Sequence, residues 1–481
     1  MSVDTLPART PTGLLIGGEW VDTQARLPVT NPASLSTLAE IGDATVADAL
    51  QAVGAAHDAF GTWSQTPARQ RAEILRRSFE IMTAELEDCA RLIVLENGKA
   101  WRDALGEATY AAEFFRWFSE EAARIQGDFR YAPNRDKTII VDHRPMGVAY
   151  MITPWNFPAA MATRKLAPAL AAGCTAVLKP AGETPLTALW IADVMQRAGV
   201  PSGVVNVITT SKSGVISEAV LADPRVATLS FTGSTYVGKM LLQQTATRVL
   251  PSSMELGGNA PFLVLEGADV DKAIEGAMIA KMRNGGSACT AANRFYVHES
   301  LATDFAAKFE SALAALRIGP GTDQGNDLGA MVSLKERDKI LELIGEAESE
   351  GARPVAVSQA PEVGAFVAPH IVRDVHHGST LTRNEIFGPV VPIVTFTDQD
   401  EAIRMANDTE YGLISYVYAP NAGEGITVAR RMESGMVAIN RGIASDPAAP
   451  FGGMKESGLG REGGFAGIHE FLETQYFAVD L

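Results

Sequence analysis

Three residues whose side chains suit covalent chemistry on a carbonyl group stand in distinctive local contexts. Cys289 follows a pair of glycines, Glu255 opens the segment Glu-Leu-Gly-Gly-Asn, and Asn156 lies between a tryptophan and a phenylalanine. A thiolate can attack a carbonyl carbon, an amide can stabilise the oxyanion that forms, and a carboxylate can activate the water that releases the product. These residues therefore predict catalysis through a covalent cysteine intermediate.

Each of the three also has a purely structural interpretation. A free cysteine usually packs as a small apolar side chain, Glu255 could form a surface salt bridge, and Asn156 could cap the helix predicted after it. The glycines beside Cys289 and Glu255 allow close approach of the backbone, which favours the catalytic interpretation. For Glu255 to act as a base, we expect a partly apolar site that raises its pKa towards neutrality.

Composition indicates a folded, enzyme-sized protein of two or three domains. A chain of 481 residues exceeds a single compact core, and 46% apolar with 20% charged residues is typical of packed globular proteins. The net charge of −16, without clustered Lys and Arg, argues against nucleic acid as a partner. The sequence has neither a long apolar run nor an initial signal pattern, so we expect a cytoplasmic protein with no membrane partner.

The cysteines and histidines predict neither disulfides nor a metal site. The three cysteines are odd in number and far apart. Cys89 and Cys174 stand in contexts typical of buried thiols, whereas the glycines before Cys289 predict an accessible loop. The histidines show no ligand spacing, and the adjacent pair His376 and His377 is predicted in a loop.

The elements that must position these residues follow two alternating patterns. Residues 46–63 and 69–97 have helical periodicity, and four short β-branched runs follow, each leading into a turn and a helical stretch. The four runs are 147–153, 175–179, 204–208 and 228–231. This pattern predicts a doubly wound parallel sheet. A second set at 262–265, 294–298, 390–396 and 414–418 predicts a second α/β domain, with Cys289 after its first helix.

Several motifs in one order and spacing resemble the aldehyde dehydrogenase superfamily over nearly the whole chain. They are Ile152-Thr-Pro-Trp-Asn-Phe-Pro158, Lys179-Pro-Ala, Phe231-Thr-Gly-Ser234 with Gly238, Glu255-Leu-Gly-Gly-Asn259, Cys289, Glu385-Ile-Phe-Gly-Pro389 and Pro450-Phe-Gly-Gly-Met-Lys-Glu-Ser457. The resemblance implies an α/β fold of two Rossmann-like parallel-sheet domains with a small β oligomerisation arm. It places a cofactor-binding domain at 1–126 and 144–252, a catalytic domain at 253–440, and the arm at 127–143 and 470–481. A homodimer or homotetramer is expected, since a partner subunit could cover the open edges of the arm.

The same resemblance assigns roles to the catalytic residues. Cys289 would attack an aldehyde to give a thiohemiacetal, and hydride transfer to a nicotinamide ring would leave a thioester. Asn156 and the backbone N–H of the nucleophile would hold the oxyanion, and Glu255 would activate the hydrolytic water. Lys165 and Glu462 match positions that the family links to proton relay.

For the cofactor, the strand 228–231 followed by a Thr-Gly-Ser turn and a helix predicts a pyrophosphate site at the start of that helix. The resemblance implies that Lys179 lies at the adenosine ribose and Glu385 at the nicotinamide ribose. The full set of implied cofactor residues is Thr153, Pro154, Trp155, Lys179, Ala181, Gly182, Glu183, Phe231, Thr232, Gly233, Ser234, Gly238, Leu256, Glu385 and Phe387. The literal G-x-G-x-x-G at 458–463 follows no predicted strand, and we place it in a C-terminal loop outside the nucleotide site.

The cofactor is NADP or NAD, and Gly182 favours NADP. Members of the family that prefer NAD often carry an acid three residues after the lysine, where this chain has Gly182, with Glu183 one place later. A missing acid leaves room for a 2′-phosphate beside Lys179.

For the substrate, Arg164, Arg283 and Ser445 match the carboxylate clamp of succinate semialdehyde dehydrogenases. Two guanidinium groups suit bidentate carboxylate binding. Alternatively, Arg283 could interact with the dipole at the C-terminus of a helix, and Arg164 could be a solvated charge on a helix surface. An aldehyde dehydrogenase for other aliphatic or aromatic aldehydes is the alternative within the same chemistry. A cysteine esterase or thioesterase would also use Cys289, but it would have no use for the cofactor residues.

Overall fold

The computed structural model describes residues 5–480, so the predicted outer ends of the cofactor-binding domain and of the arm, residues 1–4 and 481, lie outside the described residues. The strands are β1 Leu14–Ile16, β2 Glu19–Val21, β3 Arg26–Thr30, β4 Thr37–Gly42, β5 Asp128–Tyr131, β6 Thr138–Pro145, β7 Val148–Ile152, β8 Thr175–Lys179, β9 Val205–Val207, β10 Val226–Thr232, β11 Ser252–Glu255, β12 Ala260–Val264, β13 Ala292–His298, β14 Arg353–Ala356, β15 His370–Arg373, β16 Val390–Phe396, β17 Tyr411–Gly412, β18 Ile414–Tyr418, β19 Met436–Ile439, β20 Met454–Lys455, β21 Gly458–Leu459 and β22 Leu472–Val479. The helices are α1 Val46–Ser64, α2 Ala68–Ala84, α3 Leu86–Asn97, α4 Trp101–Glu121, α5 Pro158–Ala172, α6 Pro185–Ala198, α7 Ser213–Ala222, α8 Thr235–Ala246, α9 Val270–Met282, α10 Glu299–Ala314, α11 Leu334–Ser349, α12 Thr380–Arg383, α13 Gln399–Asn407, α14 Ala422–Ala429 and α15 Ala466–His469.

The first sheet has the strand order β2-β1-β9-β8-β7-β10-β11-β21. Five neighbouring strands of this sheet run parallel, namely β9, β8, β7, β10 and β11. The first four of these strands coincide with the four β-branched runs predicted from the sequence. Because β11 pairs with β10, the first sheet continues to Glu255, a few residues beyond the predicted domain boundary. The predicted C-terminal loop at 458–463 is wrong for its first two residues, which form β21, antiparallel to β11.

The second sheet has the order β14-β15-β16-β13-β12-β18-β19 and begins, along the chain, with β12. All its pairings are parallel except the one between β14 and β15. The four runs of the second predicted set become β12, β13, β16 and β18. Cys289 follows α9, the first helix after β12, as the sequence indicated.

A separate three-stranded sheet, β22-β6-β5, occupies the two segments predicted as an arm. β22 pairs antiparallel with β6 over eight residues, from Leu472 opposite Pro145 to Val479 opposite Thr138. Four large apolar or aromatic side chains are exposed on this sheet, namely Phe129, Tyr131, Tyr476 and Phe477.

Helices α2 to α6 pack into an alanine-rich core beside the first sheet. The predicted helical segment 69–97 divides at Glu85, whose φ of −116° and ψ of 27° interrupt the helix. Helix α5 begins with Pro158 in its first turn, ends at Gly173 in the left-handed conformation, and is buried at every position. Within residues 5–480, no helix combines the length and apolarity needed to cross a membrane.

Candidate active site

Cys289 lies on a tight loop between α9 and β13. The loop contains a short 3₁₀ turn, Arg283–Gly286, in which Asn284 and the two glycines have positive φ. A side chain at Gly286 would clash with the Gly388 carbonyl, so glycine is required there. The thiol of Cys289 is partly accessible, whereas Cys89 and Cys174 are buried, as the sequence predicted.

The surroundings of Cys289 favour the neutral thiol over the thiolate. Burial raises its pKa to about 12, while the charges of Arg164 and Arg283 act in the opposite direction. A thiol in this state must lose its proton as it attacks. A base beside it is therefore part of what the site requires.

Glu255 ends β11 in a buried position, and within the described part of the chain neither of its carboxylate oxygens has a hydrogen-bond partner. Burial raises its pKa well above the usual range, and the neighbouring charge of Glu462 raises it further. Gly258, three residues later, would clash with the Cys289 carbonyl if it carried a side chain. The glycines after Glu255 thus let this segment lie directly against the nucleophile loop.

Asn156 lies on the loop from β7 to α5, at the carboxyl edge of the first sheet. Its Nδ2 donates a hydrogen bond to the carbonyl of Ser287, at 3.1 Å, so the amide points into the nucleophile loop. Its Oδ1 has no hydrogen-bond partner among residues 5–480. Asn156 is therefore next to the segment that carries Cys289, as an oxyanion donor would have to be.

Lys165 and Glu462 form a buried ion pair behind Glu255. Lys165 Nζ lies 2.6 Å from Glu462 Oε1 and donates to Ser230 Oγ at 2.9 Å. The other oxygen of Glu462 faces Arg164 Nη1 at 3.5 Å. The structure thus connects the two residues assigned to proton relay with each other.

Of the three predicted clamp residues, the structure brings two close to Cys289. Arg164 is buried on α5, donates to Tyr110 Oη at 2.8 Å and has its guanidinium carbon 4.1 Å from the Phe451 ring centre. Arg283 is half-buried and donates at 3.3 Å to the hydroxyl of Thr290, the residue after the nucleophile. Ser445 is half-buried and has no hydrogen bond to another residue of the range 5–480, so its place in the clamp stays a prediction.

A cavity of about 190 Å³ extends from Cys289 along the carboxyl edge of the first sheet. Its lining contains Cys289, Asn156 and eight of the predicted cofactor residues, namely Pro154, Trp155, Thr232, Gly233, Ser234, Leu256, Glu385 and Phe387. The rings of Trp155 and Phe387 meet edge to face at 5.3 Å. The sequence analysis missed Met161, Gly257, Glu336 and Lys339, which also line it. Glu336 and Lys339 are surface residues of α11, and no local pattern in the sequence marks them.

Four predicted cofactor residues support the cavity or lie beside it. Thr153 donates from its backbone N–H to the Lys179 carbonyl at 3.2 Å. The buried ring of Phe231 packs under Gly233, and Gly238 lets α8 pack against Leu256, because a side chain at either glycine would clash. Ala181 is half-buried next to Gly182.

A second cavity, of about 420 Å³, is lined by Gly182 and Glu183 and by the hydroxyl-bearing residues Thr30, Thr210, Ser211, Ser213 and Ser333. Lys179 ends β8 and donates to Ser213 Oγ at 3.2 Å. Burial lowers the pKa of Lys179 to about 8, with the charge of Glu183 acting in the opposite direction. The predicted residues of the adenosine end therefore lie together.

Four helices, α5 to α8, begin near the carboxyl edge of the first sheet, and buried carboxylates occupy the N-termini of α5 and α6. Helix α7 begins at Ser213, which accepts a hydrogen bond from Lys179 at the second cavity. Glu107 accepts hydrogen bonds from the first turn of α5, and Glu96 accepts two from the first turn of α6, at 2.7 and 2.9 Å. At α8 the cap is the uncharged Ser234, which lines the first cavity with Gly233. The residues present therefore fit a pyrophosphate at α8, where the helix N-terminus carries no protein anion.

Glu385 also lines the first cavity, close to the Cys289 loop. Its Oε1 accepts from the Gly258 N–H at 3.1 Å, and burial raises its pKa to about 7. Two amides fix its loop: Asn259 Nδ2 donates to the Thr382 carbonyl and Asn293 Nδ2 to the Asn384 carbonyl. Glu385 is thus a rigidly placed acceptor, as a ribose hydroxyl would require.

Two parallel-sheet domains thus meet at a cavity lined by Cys289, Asn156 and the N-terminus of α8, an arrangement that fits a nucleotide-dependent enzyme. The chain belongs to the aldehyde dehydrogenase family, whose sequence profile matches residues 20–477. It is 51% identical to a succinate-semialdehyde dehydrogenase of Paenarthrobacter nicotinovorans, over 92% of this chain and 98% of that protein. It is 45% identical to the NADP(+) succinate-semialdehyde dehydrogenase of Escherichia coli, over 97% of each, and 44% identical to a glutarate-semialdehyde dehydrogenase of Pseudomonas putida, over 97% of each.

Solved structures agree with the fold. A succinate-semialdehyde dehydrogenase from Burkholderia pseudomallei superimposes with a TM-score of 0.97 at 41% identity, covering 99% of both chains. The predicted fold class and the predicted enzyme family are confirmed.

Proposed function

We propose that this protein oxidises succinate semialdehyde to succinate with NADP as hydride acceptor. The observation that supports the substrate best is the pair of arginines, Arg164 and Arg283, whose charges both act on the Cys289 thiol. Two guanidinium groups near the nucleophile suit an aldehyde that carries a carboxylate at its other end. The names of two relatives point to the same substrate.

In the first step Cys289 attacks the aldehyde carbon, and its proton leaves for a base. Glu255 is buried, without a hydrogen-bond partner in residues 5–480, and its raised pKa makes its carboxylate form a stronger proton acceptor. The Asn156 amide and the Cys289 N–H stabilise the oxyanion, at about 3 kcal/mol per donor. The nicotinamide ring, when bound, takes up hydride, and a thioester on Cys289 remains.

Hydrolysis of the thioester uses the same carboxylate. Glu255 takes a proton from water, the hydroxide attacks the thioester carbon, and the carbon–sulfur bond breaks to release the acid and the Cys289 thiolate. Lys165 and Glu462 carry protons away from Glu255. In sum, aldehyde, water and oxidised cofactor give acid, reduced cofactor and a proton.

For the cofactor, the surroundings of Lys179 favour NADP. The ammonium lies beside Ser213, and the adjacent cavity is lined by hydroxyl groups that suit a phosphate. Gly182 leaves the space that an acid would otherwise fill. Glu183 is exposed at the rim of this cavity.

A panel of aldehydes with both cofactors tests the proposal, with reduced cofactor measured by absorbance at 340 nm. We expect the highest kcat/KM for succinate semialdehyde with NADP. Glutarate semialdehyde is the second candidate, because a relative of similar identity is named for it. Equal efficiency with butanal or benzaldehyde would contradict a carboxylate clamp, and release of acid from esters without cofactor turnover would indicate a hydrolase.

We also propose that the protein assembles through its arm and is cytoplasmic. The exposed Phe129 and Tyr131 on β5 and Phe477 on β22 share one face of the arm sheet, with Tyr476 exposed on the other face, and a second subunit would cover them. Light scattering after size exclusion should show a dimer or a tetramer. A monomer at micromolar concentration would contradict this part of the proposal.

A further inference from the structure

One buried side chain, Asn284, joins the loop of Asn156 to the loop of Cys289. Its Nδ2 donates at 2.8 Å to the Asn156 carbonyl and at 2.9 Å to the Ser287 carbonyl. Both hydrogens of this amide are thus used on two main-chain oxygens from different domains. The Asn156 amide donates to the same Ser287 carbonyl, which closes a compact ring of hydrogen bonds.

Asn284 is itself held in an unusual conformation. Its φ of 53° and ψ of 37° lie in the left-handed region, which asparagine tolerates better than most residues. Its backbone N–H donates at 2.7 Å to Asp103 Oδ2 on α4. Helix α4 therefore holds the backbone of Asn284, while the Asn284 side chain connects the loop of Asn156 to the loop of Cys289.

Lys99, just before helix α4, also donates to the same Asn156 carbonyl that accepts from Asn284. Lys99 Nζ donates to the Asn156 carbonyl at 3.0 Å and forms a buried ion pair with Glu107. Glu107 in turn accepts from the backbone of Ala159 at the start of α5, at 2.9 Å. All these groups are buried, so a broken bond would leave a polar atom without water.

We propose that Asn284 is a positioning residue that fixes the distance between the two oxyanion donors, the Asn156 amide and the Cys289 N–H. The inference rests on the roles proposed for Asn156 and Cys289. Oxyanion stabilisation depends on donors that do not have to reorganise as charge develops. A displacement of about 1 Å at such a site can cost about 100-fold in rate, and Asn284 is the side chain that bonds to both loops at once.

The variant Asn284→Gly tests this, because glycine adopts the positive φ without strain and removes only the amide. We expect the single-turnover rate of reduced-cofactor formation, with enzyme in excess over aldehyde, to fall about 10- to 100-fold. Alkylation of Cys289 by iodoacetamide should keep its wild-type rate, because that displacement develops no oxyanion. A wild-type turnover rate, or an equal loss in alkylation, would overturn the inference.

A double-mutant cycle with Asn156→Ala separates this inference from the proposed function. If Asn284 acts through Asn156, the double variant should be no slower than Asn156→Ala, whereas independent effects would multiply and overturn the inference. A wild-type rate in Asn156→Ala would instead contradict the oxyanion role itself.

Two further variants control for folding. Asn407→Gly removes two hydrogen bonds of a side-chain amide, one donated to the Arg431 carbonyl and one accepted from the Glu433 N–H; Asn407 does not line the first cavity, so the single-turnover rate should stay unchanged. Asp103→Asn keeps the shape of the side chain but removes its charge, so it weakens the hydrogen bond from the Asn284 N–H. If Asn284→Gly does not fold, Asp103→Asn should still slow turnover without slowing alkylation, and unchanged turnover in that variant would overturn the inference.

Discussion

Replacing Arg283 by alanine is the sharpest test of the substrate assignment. Arg283 is half-buried, and its guanidinium donates a single hydrogen bond, at 3.3 Å, to Thr290. It also lies 5.4 Å from the Phe157 ring. Most of its donors are free for a ligand, and its removal should cost the folded state only about 1 kcal/mol. Arg164 is a poorer probe, because its removal leaves the buried Glu462 with one cation fewer and should cost about 3 to 5 kcal/mol of stability.

The expected effect on catalysis follows from the loss of one charged hydrogen-bond partner. Such a contact contributes about 1.5 to 3 kcal/mol, and each 1.4 kcal/mol is about a factor of ten. The KM for succinate semialdehyde should therefore rise about 12- to 140-fold in Arg283→Ala. The KM for butanal, which has no carboxylate, should stay close to the wild-type value.

Initial rates at 340 nm with both aldehydes measure this, and Arg283→Lys serves as the matched variant. Lysine keeps the charge but loses the planar fork, so it should recover only part of the affinity. Equal weakening of both aldehydes in Arg283→Ala would refute the clamp. Full recovery by lysine would refute the bidentate geometry alone.

Four further outcomes are expected. Glu255→Gln should give one burst of reduced cofactor and then stall at the thioester, Cys289→Ser should give none, and an active Cys289→Ala variant would contradict the covalent step. The kcat/KM with NADP should equal or exceed that with NAD. Lys179→Ala should lower kcat/KM more with NADP than with NAD, because the 2′-phosphate loses a partner. A strong preference of the wild-type protein for NAD would show that an acid fills the space beside Lys179. Since Ala291 supplies no neighbouring thiol, peroxide should inactivate Cys289 through sulfenic and higher acids, and full recovery with dithiothreitol from an intramolecular disulfide, seen by mass spectrometry, would contradict this. Burial raises the pKa of both Cys289 and Glu255, so the deprotonated forms of both groups accumulate as the pH rises. We therefore expect kcat/KM to increase from neutral to alkaline pH. A flat pH profile would contradict this expectation.

The sequence predicted the parts of the fold that depend on local pattern. The β-branched runs became strands because parallel strands buried on both faces are nearly continuous in apolar residues. Cys289, Glu255 and Asn156 could be singled out because the glycines and aromatic residues beside them are close in sequence. Two features could not be predicted, namely the division of the helical segment at Glu85 and the two-residue strand β21, because neither leaves a periodic signal in the sequence.

Long-range pairings explain the remaining omissions. Lys99 and Asn156 are 57 residues apart, and Asn284 and Asn156 are 128 apart. Lys339 comes to the cavity only because α11 packs beside the second sheet. Such contacts depend on tertiary packing, which periodicity and motif spacing do not contain.

The hydrogen bonds of Asn284 also restrict how the two domains can move. Asp103 and Asn156 belong to the part of the chain around the first sheet, whereas Asn284 and Ser287 precede the second strand of the other sheet. Ala330 adds a further link by donating from its backbone to the Gly98 carbonyl at 2.9 Å. These hydrogen bonds therefore hold the two domains together next to Cys289. We expect a hinge motion at the thiol to be disfavoured, because it would break the hydrogen bond from Asn284 to the Asn156 carbonyl.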